Sequence, residues 1–335
     1  MSTSPDTSQE AVTLQMRKAD LEAEPAQLTT SFISVGDVPS GSSMYDTILL
    51  PVNASDGTEA ATIRAFSLAD VFNATVHVLH VLEFPFEPAD ITPGQRDEFR
   101  EFAEQRGRTA TAAVTEQATD RGIETVEAIV DGEPHRSIRE YAHEHDVDLI
   151  TMGTHGRQGA EQVRLGSTTE RVLMLSDVPV LSVRTTDVQQ PPSDLRAAIK
   201  DVVVPTDGSE FADRAAEHAL SIAELSGATV HAVYVVDEAI YDLQDAPRSI
   251  VGLLKQGGQQ AVDAIATDAR DRGLSTTSNV LQGNPEMEIL EYAGGVGADL
   301  IAMGTRGQAA GTERVIGSTT ARVVRRFDRP LLTVG

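Results

Sequence analysis

Two apolar patterns alternate along residues 44–335. Short unbroken runs at 48–52 (Ile-Leu-Leu-Pro-Val) and 202–206 (Val-Val-Val-Pro-Thr) predict strands buried on both faces. Between such runs the apolar residues recur at helical spacing. Ala215, Ala219, Ile222 and Ala223 share one face of a predicted helix that stops before Gly227. Each half of the chain then reads as strand, helix, strand, helix, strand, helix, strand, glycine loop, helix, strand. Asn284-Pro285 supplies a cap and first turn for the third helix of the second half. Gly294-Gly295-Val296-Gly297 precedes a strand instead of following one, which makes it a helix terminator and not a dinucleotide fingerprint. The last runs, 179–183 and 330–334, open on proline, as an edge strand would. Alternating strands and helices call for a parallel sheet covered on both faces, with right-handed crossovers.

The two halves are copies. Residues 44–51 answer 199–205, Ala74-Thr75-Val76-His77 answers Ala228-Thr229-Val230-His231, and Asp131-Gly132-Glu133-Pro134 answers Gln282-Gly283-Asn284-Pro285. Positions 51 and 205 differ by 154 and positions 134 and 285 by 151, so the first copy has three extra residues, near 84–92. The expected organisation is a domain at 44–184, a linker at 185–197 containing Gln189-Gln190-Pro191-Pro192, and a second domain at 198–335. Residues 1–43 are rich in Ser, Thr, Pro and acidic residues, have no counterpart before Ile199, and carry one short amphipathic stretch at 12–21. They are expected to be disordered, and Met44 is a candidate initiator.

The chemistry concentrates after the fourth strand of each copy. Gly153-Thr154-His155-Gly156 is followed, after nine intervening residues, by Gly166-Ser167-Thr168-Thr169, and Gly304-Thr305-Arg306-Gly307 by Gly317-Ser318-Thr319-Thr320 at the same spacing. Each second Gly-Ser opens a helix. Glycine allows close backbone approach, and a helix start offers unpaired N–H groups, so the pattern reads as a duplicated phosphate cradle. Ser167 and Ser318 also read as helix caps, and Asp207 as a cap of the first helix in its domain. Arg157, Arg164, Arg306 and Arg314 do not match between the loops and are read as facing solvent. His77 and His231 occupy matching strand positions and read as core residues. His155 is replaced by Arg306 in the second loop, which argues against a catalytic role. Asp56, Glu59, Glu210 and Asp213 read as solvated acids near helix starts. Neither a Gly-Lys-Ser/Thr P-loop nor a Gly-x-Ser-x-Gly elbow occurs.

Met-Gly-x-x-Gly, nine residues, then Gly-Ser-x-Thr in such a unit resembles the ATP-binding class of the universal stress protein (UspA) family, and the resemblance covers 44–335 as two domains. It implies an α/β fold of two tandem five-stranded, Rossmann-like, adenine-nucleotide-binding domains with strand order 3-2-1-4-5, paired through their fifth strands as an internal pseudo-dimer. It implies ATP or another adenine nucleotide, with Mg²⁺, as the ligand. In the second domain Asp207 would hold the ribose, with Gly208 allowing close approach. Pro205, Val235 and Met303 would border the adenine. Gly304, Gly307, Gly317, Ser318, Thr319 and Thr320 would wrap the phosphates. The first domain offers Pro51, Val81, Met152, Gly153, Gly156, Gly166, Ser167, Thr168 and Thr169 in those roles. It departs at Asn53 and Ala54, where the second has Asp207 and Gly208. A neutral acceptor for a charged one predicts unequal sites, the second domain's being tighter.

Composition sets the surroundings. A net charge of −24, from 51 acidic against 27 basic residues, disfavours nucleic acid and anionic membranes as partners. Lysine occurs only at 18, 200 and 255, and this acidic, lysine-poor balance is expected of a protein from a salty cytoplasm. Cysteine is absent, which excludes disulfides, thiolate catalysis and cysteine-bound zinc. No apolar run reaches ~18 residues, so a soluble, cytoplasmic protein is expected. The favoured function is a nucleotide-binding regulatory module, with no evident general base or nucleophile. One alternative is a slow Mg²⁺-dependent ATPase or self-phosphorylating enzyme using Ser167, Ser318 or a neighbouring Thr, with Asp207 as a metal ligand. Another is a dimerisation module without nucleotide. A further homodimer is compatible with each reading.

Overall fold

A computed structural model of the chain describes residues 44–53, 56–83, 92–154, 165–184, 194–241, 247–307 and 316–335. The tail 1–43, the linker stretch 185–193, the extra residues 84–91, and Ala54, His155, Gly156, Arg157, Arg164 and Arg314 lie outside the described residues. The first repeat runs β1 (Thr47–Pro51), α1 (Asp56–Phe72), β2 (Thr75–Leu82), α2 (Pro93–Thr119), β3 (Thr125–Asp131), α3 (Pro134–Glu144), β4 (Leu149–Gly153), α4 (Ser167–Leu175) and β5 (Val180–Val183). A short helix, α5 (Leu195–Ala198), leads into the second. That repeat runs β6 (Asp201–Pro205), α6 (Glu210–Ser226), β7 (Thr229–Asp237), α7 (Glu238–Tyr241), α8 (Arg248–Asp271), β8 (Thr276–Gly283), α9 (Pro285–Val296), β9 (Leu300–Gly304), α10 (Ser318–Arg326) and β10 (Leu331–Val334).

All ten strands form one sheet of order β3-β2-β1-β4-β5-β10-β9-β6-β7-β8. Each repeat supplies the order 3-2-1-4-5, in parallel pairs whose registers match: Leu49 opposite His77 in the first, Val203 opposite His231 in the second. β5 and β10 meet antiparallel, with Leu181 opposite Leu332. Strands that open on proline therefore sit mid-sheet and not at an edge. Pro179 and Pro330 stand one residue ahead of the ladder and use only their carbonyls, which accept from the amides of Ile150 at 2.9 Å and Ile301 at 3.3 Å. The outermost strands are β3 and β8.

Alternation along the strands fills two apolar layers. Ile48, Leu50, Val202 and Val204 point to the layer with α1 and α6, while Leu49, Ile150, Val203 and Ile301 point to that of α3, α4, α9 and α10. Both layers run through both repeats. The helix ends follow local chemistry. Ser209 caps α6 by accepting from the Ala212 amide, Gly227 ends it at φ +74°, and Asn284 caps α9 ahead of Pro285. Gly297 ends α9 in the same left-handed conformation, as a helix terminator must.

The segment before β1 reaches into the other repeat. Tyr45, fully buried, stacks on His218 of α6 with its hydroxyl 2.8 Å from Nδ1, and turns a ring edge to Phe72. Burial, partly opposed by Glu217 and reinforced by Arg214, pulls the His218 pKa down to about 4. His231 is buried, its Nε2 2.9 Å from Asp201 and its Nδ1 2.9 Å from the Thr277 hydroxyl, so it is a satisfied interior histidine. His77 is half-buried against Tyr141, and burial followed by His145 holds its pKa below the ordinary value.

Candidate functional site

In each repeat the strand order reverses between the first and fourth strands, and the carboxyl ends of such a pair are the usual position of ligand sites in sheets of this kind. The second repeat describes this mouth more fully. β6 ends at Pro205, and the chain turns through Thr206, Asp207 and Gly208 into α6. Gly208 has φ +75°, which a side chain would strain, and its amide donates to the Thr206 hydroxyl at 3.0 Å. Asp207 accepts from the Ser209 amide through Oδ1 at 3.0 Å. It is thus an Asx turn ahead of the helix, while Ser209 is the cap.

The glycines across the mouth have different reasons to be glycine. A Cβ on Gly304, at the end of β9, would fall 2.8 Å from the backbone of Phe211, so this residue serves the contact between strand and α6. A Cβ on Gly307 would strike Asp207 Oδ2, so the carboxylate lies directly against the glycine loop. Among the described residues a Cβ on Gly317 would meet the Thr305 carbonyl at 3.4 Å and the Arg306 Cα at 3.9 Å, both ordinary contacts, and its φ of −62° suits any residue. Contacts among the described residues do not require glycine there.

Gly317 is the N-cap of α10, and Ser318 is the first helical residue. The two serines read as caps are therefore not caps: Gly166 takes that place for α4 with nearly the same backbone, φ −63° and ψ 142° against −62° and 148°. The amides of Gly166 and Gly317 both donate inward, to Thr154 and Thr305 carbonyls at 2.7 Å. The first intrahelical donors are Glu170 and Ala321, which leaves the N–H groups of Ser167 to Thr169 and of Ser318 to Thr320 without a partner inside their helices. Ser167 and Ser318 are exposed at this end, and Thr168 and Thr319 half-exposed. The Thr169 and Thr320 side chains are buried and donate to the Gly153 and Gly304 carbonyls at 2.8 Å. These hydroxyl protons tie helix to strand and are not offered to the mouth.

Pro205, Met303 and Gly304 are buried at the strand ends, while Val235 and Asp207 are partly exposed. In the first repeat Met152 is buried, and Pro51, Val81 and Gly153 are partly exposed. Asn53 is exposed, and its Oδ1 accepts from the Thr58 hydroxyl at 2.9 Å. The structure thus brings Asp207 and Gly307 together and sets Asn53 on Thr58 instead.

One arginine departs from the solvent-facing expectation. Arg306 stacks over the Phe211 ring at 4.5 Å, with Arg214 on the same ring at 4.9 Å. A guanidinium from the residue next to Gly307 is thereby held over Phe211, and the Arg306 Cα lies 3.9 Å from where a Cβ on Gly317 would stand. Phe211 carried no signal in the sequence, because the first repeat has Gly57 at that position. Among the described residues no group of three His, Asp or Glu side chains could hold a metal, and no helix is long and apolar enough to cross a membrane.

The sequence profile described as the universal stress protein family matches residues 44–184 and again 198–335. Universal stress protein MJ0531 of Methanocaldococcus jannaschii is 40% identical over 139 residues, 40% of this chain and 81% of that protein. Universal stress protein YxiE of Bacillus subtilis is 30% identical over 148 residues, 42% of this chain and all (100%) of that protein. Among solved structures, a universal stress protein from Archaeoglobus fulgidus DSM 4304 superposes with a TM-score of 0.64 over 87% of this chain and 97% of its own, at 23% identity, a likeness of fold.

Proposed function

The chain belongs to the universal stress protein family, and on that premise we propose that it is an adenine-nucleotide-binding regulatory module with two unequal sites. The observation that carries this reading is Gly317. Packing against the Phe211 backbone explains Gly304, and the Asp207 carboxylate lies against Gly307, but contacts among the described residues give no reason for a bare backbone at the start of α10, where three amides lack intrahelical partners. An anion such as a nucleotide phosphate uses that combination of approach and donors. Gly317 and the amides of Ser318 to Thr320 would hold the phosphates, with Arg306 adding positive charge. Asp207 would take the ribose hydroxyls, and Pro205, Val235 and Met303 would face the base.

The first repeat would bind through the matching positions around Gly166, with Asn53 in place of Asp207. Hydrogen bonds to charged groups contribute about 1.5–3 kcal/mol against about 0.5–1.5 for neutral ones. A difference near 1 kcal/mol makes the second site roughly five- to tenfold tighter. We read the antiparallel join of β5 to β10 as an internal pseudo-dimer that links the two mouths through the centre of the sheet. Occupancy of the sites would then stabilise the joined form and report nucleotide level to a partner.

Mass spectrometry of the small molecule released from freshly purified protein tests this. An adenine nucleotide is expected. No released nucleotide, together with no thermal shift on adding ATP and Mg²⁺, would remove the reading and leave a folded pairing module. Sustained phosphate release that is lost in Gly317→Val would move the assignment to an ATPase.

A further inference from the structure

The two loops that frame the second mouth each open a helix, and one side chain crosses between them. Arg306 starts beside α10: its Cα lies 3.9 Å from where a Cβ on Gly317 would stand. Its guanidinium ends at α6, 4.5 Å from the centroid of the Phe211 ring. Phe211 is the second residue of α6, and its backbone lies 2.8 Å from where a Cβ on Gly304 would stand, which roots it against the end of β9. Arg214, one turn further along α6, places a second guanidinium 4.9 Å from the same centroid.

No carboxylate neutralises this pair. Among the described residues neither Arg306 nor Arg214 makes an ion pair, although Glu210 and Asp213 stand in the first turn of α6. Elsewhere in this chain of net charge −24, Arg100, Arg272 and Arg326 all sit on carboxylates. Two like charges on one ring repel each other, and an anion of several charges that reaches them relieves the repulsion. Both helices start at the same end of the sheet. The amides of Ser318 to Thr320 are unpaired within α10, and those of Glu210 and Phe211 within α6, whose first intrahelical donor is Asp213. A single phosphate at α10 engages one side of the mouth only, whereas a tail of two or three phosphates can run from α10 toward the guanidiniums at α6. The first repeat lacks the whole unit, with Gly57, Ala60 and His155 at the three positions.

We propose that Arg306, held in place by Phe211, makes the second site prefer a nucleotide with a polyphosphate tail over the monophosphate. The inference rests on the reading of this mouth as an adenine-nucleotide site with a phosphate at the start of α10. Arg306 meets the phosphates beyond the first, and Arg214 adds charge at the same place. Phe211 is a positioning residue that acts through the guanidinium it carries. The first site, lacking all three, discriminates less.

Isothermal titration of the full chain with ATP and with AMP, at fixed Mg²⁺, reads the ratio of the two affinities at the tighter site. Wild type is expected to favour ATP at least about tenfold, and Arg306→Gln to reduce that ratio to about threefold or less. Phe211→Leu, which removes the ring and keeps an apolar side chain, should reduce the ratio in the same direction, and Phe211→Tyr should keep it near the wild-type value. Adding Phe211→Leu to Arg306→Gln should change the ratio no further, because the ring has then lost the residue it positions. A purely structural ring would lower both affinities together and leave the ratio alone, and that result overturns the proposal. So does a wild type that binds ATP and AMP equally. Either result leaves the nucleotide site itself standing, whereas a wild type that takes up neither nucleotide removes both readings.

Discussion

Lowering the pH should loosen the contact between the repeats at one histidine. His218 sits under the buried Tyr45 ring with Nδ1 2.8 Å from the hydroxyl. Burial also pushes the Tyr45 pKa upward, so the phenol keeps its proton and can donate it to Nδ1 of a neutral His218. The histidine's pKa falls from 6.5 to about 4 on folding. Below the unfolded value the unfolded chain binds a proton that the folded chain refuses. This contribution is therefore complete above about pH 6.5 and is lost as pH falls toward 4. By linkage the loss is about 2 kcal/mol at pH 5. Carboxylates also titrate in this range, so the informative quantity is a difference. Urea unfolding of wild type and His218→Gln, each at about pH 7.5 and pH 5, isolates it, because glutamine keeps an acceptor and cannot titrate. Wild type should lose about 2 kcal/mol more than the variant over that interval. Equal losses in the two proteins would refute the assignment of a buried neutral imidazole at this join.

The glycines of the second mouth should separate by substitution. Gly304→Ala drives a methyl to 2.8 Å from the Phe211 backbone and should cost about 1–3 kcal/mol of stability in chemical denaturation. Gly307→Ala displaces only a flexible carboxylate, Asp207, so it should leave the unfolding midpoint nearly unchanged and weaken ATP binding in calorimetry by about five- to tenfold. With 51 acidic residues against 27 basic, the melting temperature should rise as KCl goes from about 0.1 M to about 1 M, where screening shortens the reach of like-charge repulsion. A flat response would argue that the acidic surface does not strain the fold.

The periodic part of the architecture was legible in the sequence. Val202 to Pro205 as a doubly buried strand, Gly227 and Gly297 as helix stops, and Asn284 as a cap each follow from local chemistry, and the offset between copies aligns the registers of β1–β2 and β6–β7. Contacts between residues distant in the chain left no such trace. Tyr45 and His218 are 173 residues apart, and nothing in the spacing of either announces the pair. The same holds for Asp207 against Gly307 and for Arg306 over Phe211, which depend on how two loops converge. Proline at the start of a strand suggested an edge because it lacks an N–H. β5 and β10 evade that rule by beginning their ladders one residue later. The serines of Gly-Ser read as caps because serine is a common cap. The preceding glycines hold the cap conformation here, and Thr169 and Thr320 tie the helix start to the strand.

Isothermal titration of the full chain with ATP in the presence of Mg²⁺, wild type beside Gly317→Ala, bears most directly on the central claim. Two sites differing roughly five- to tenfold in affinity are expected, with the tighter one lost in a variant that unfolds at the same urea concentration as wild type. No binding heat in the wild type, or an unaltered titration in Gly317→Ala, would contradict a phosphate cradle at the start of α10.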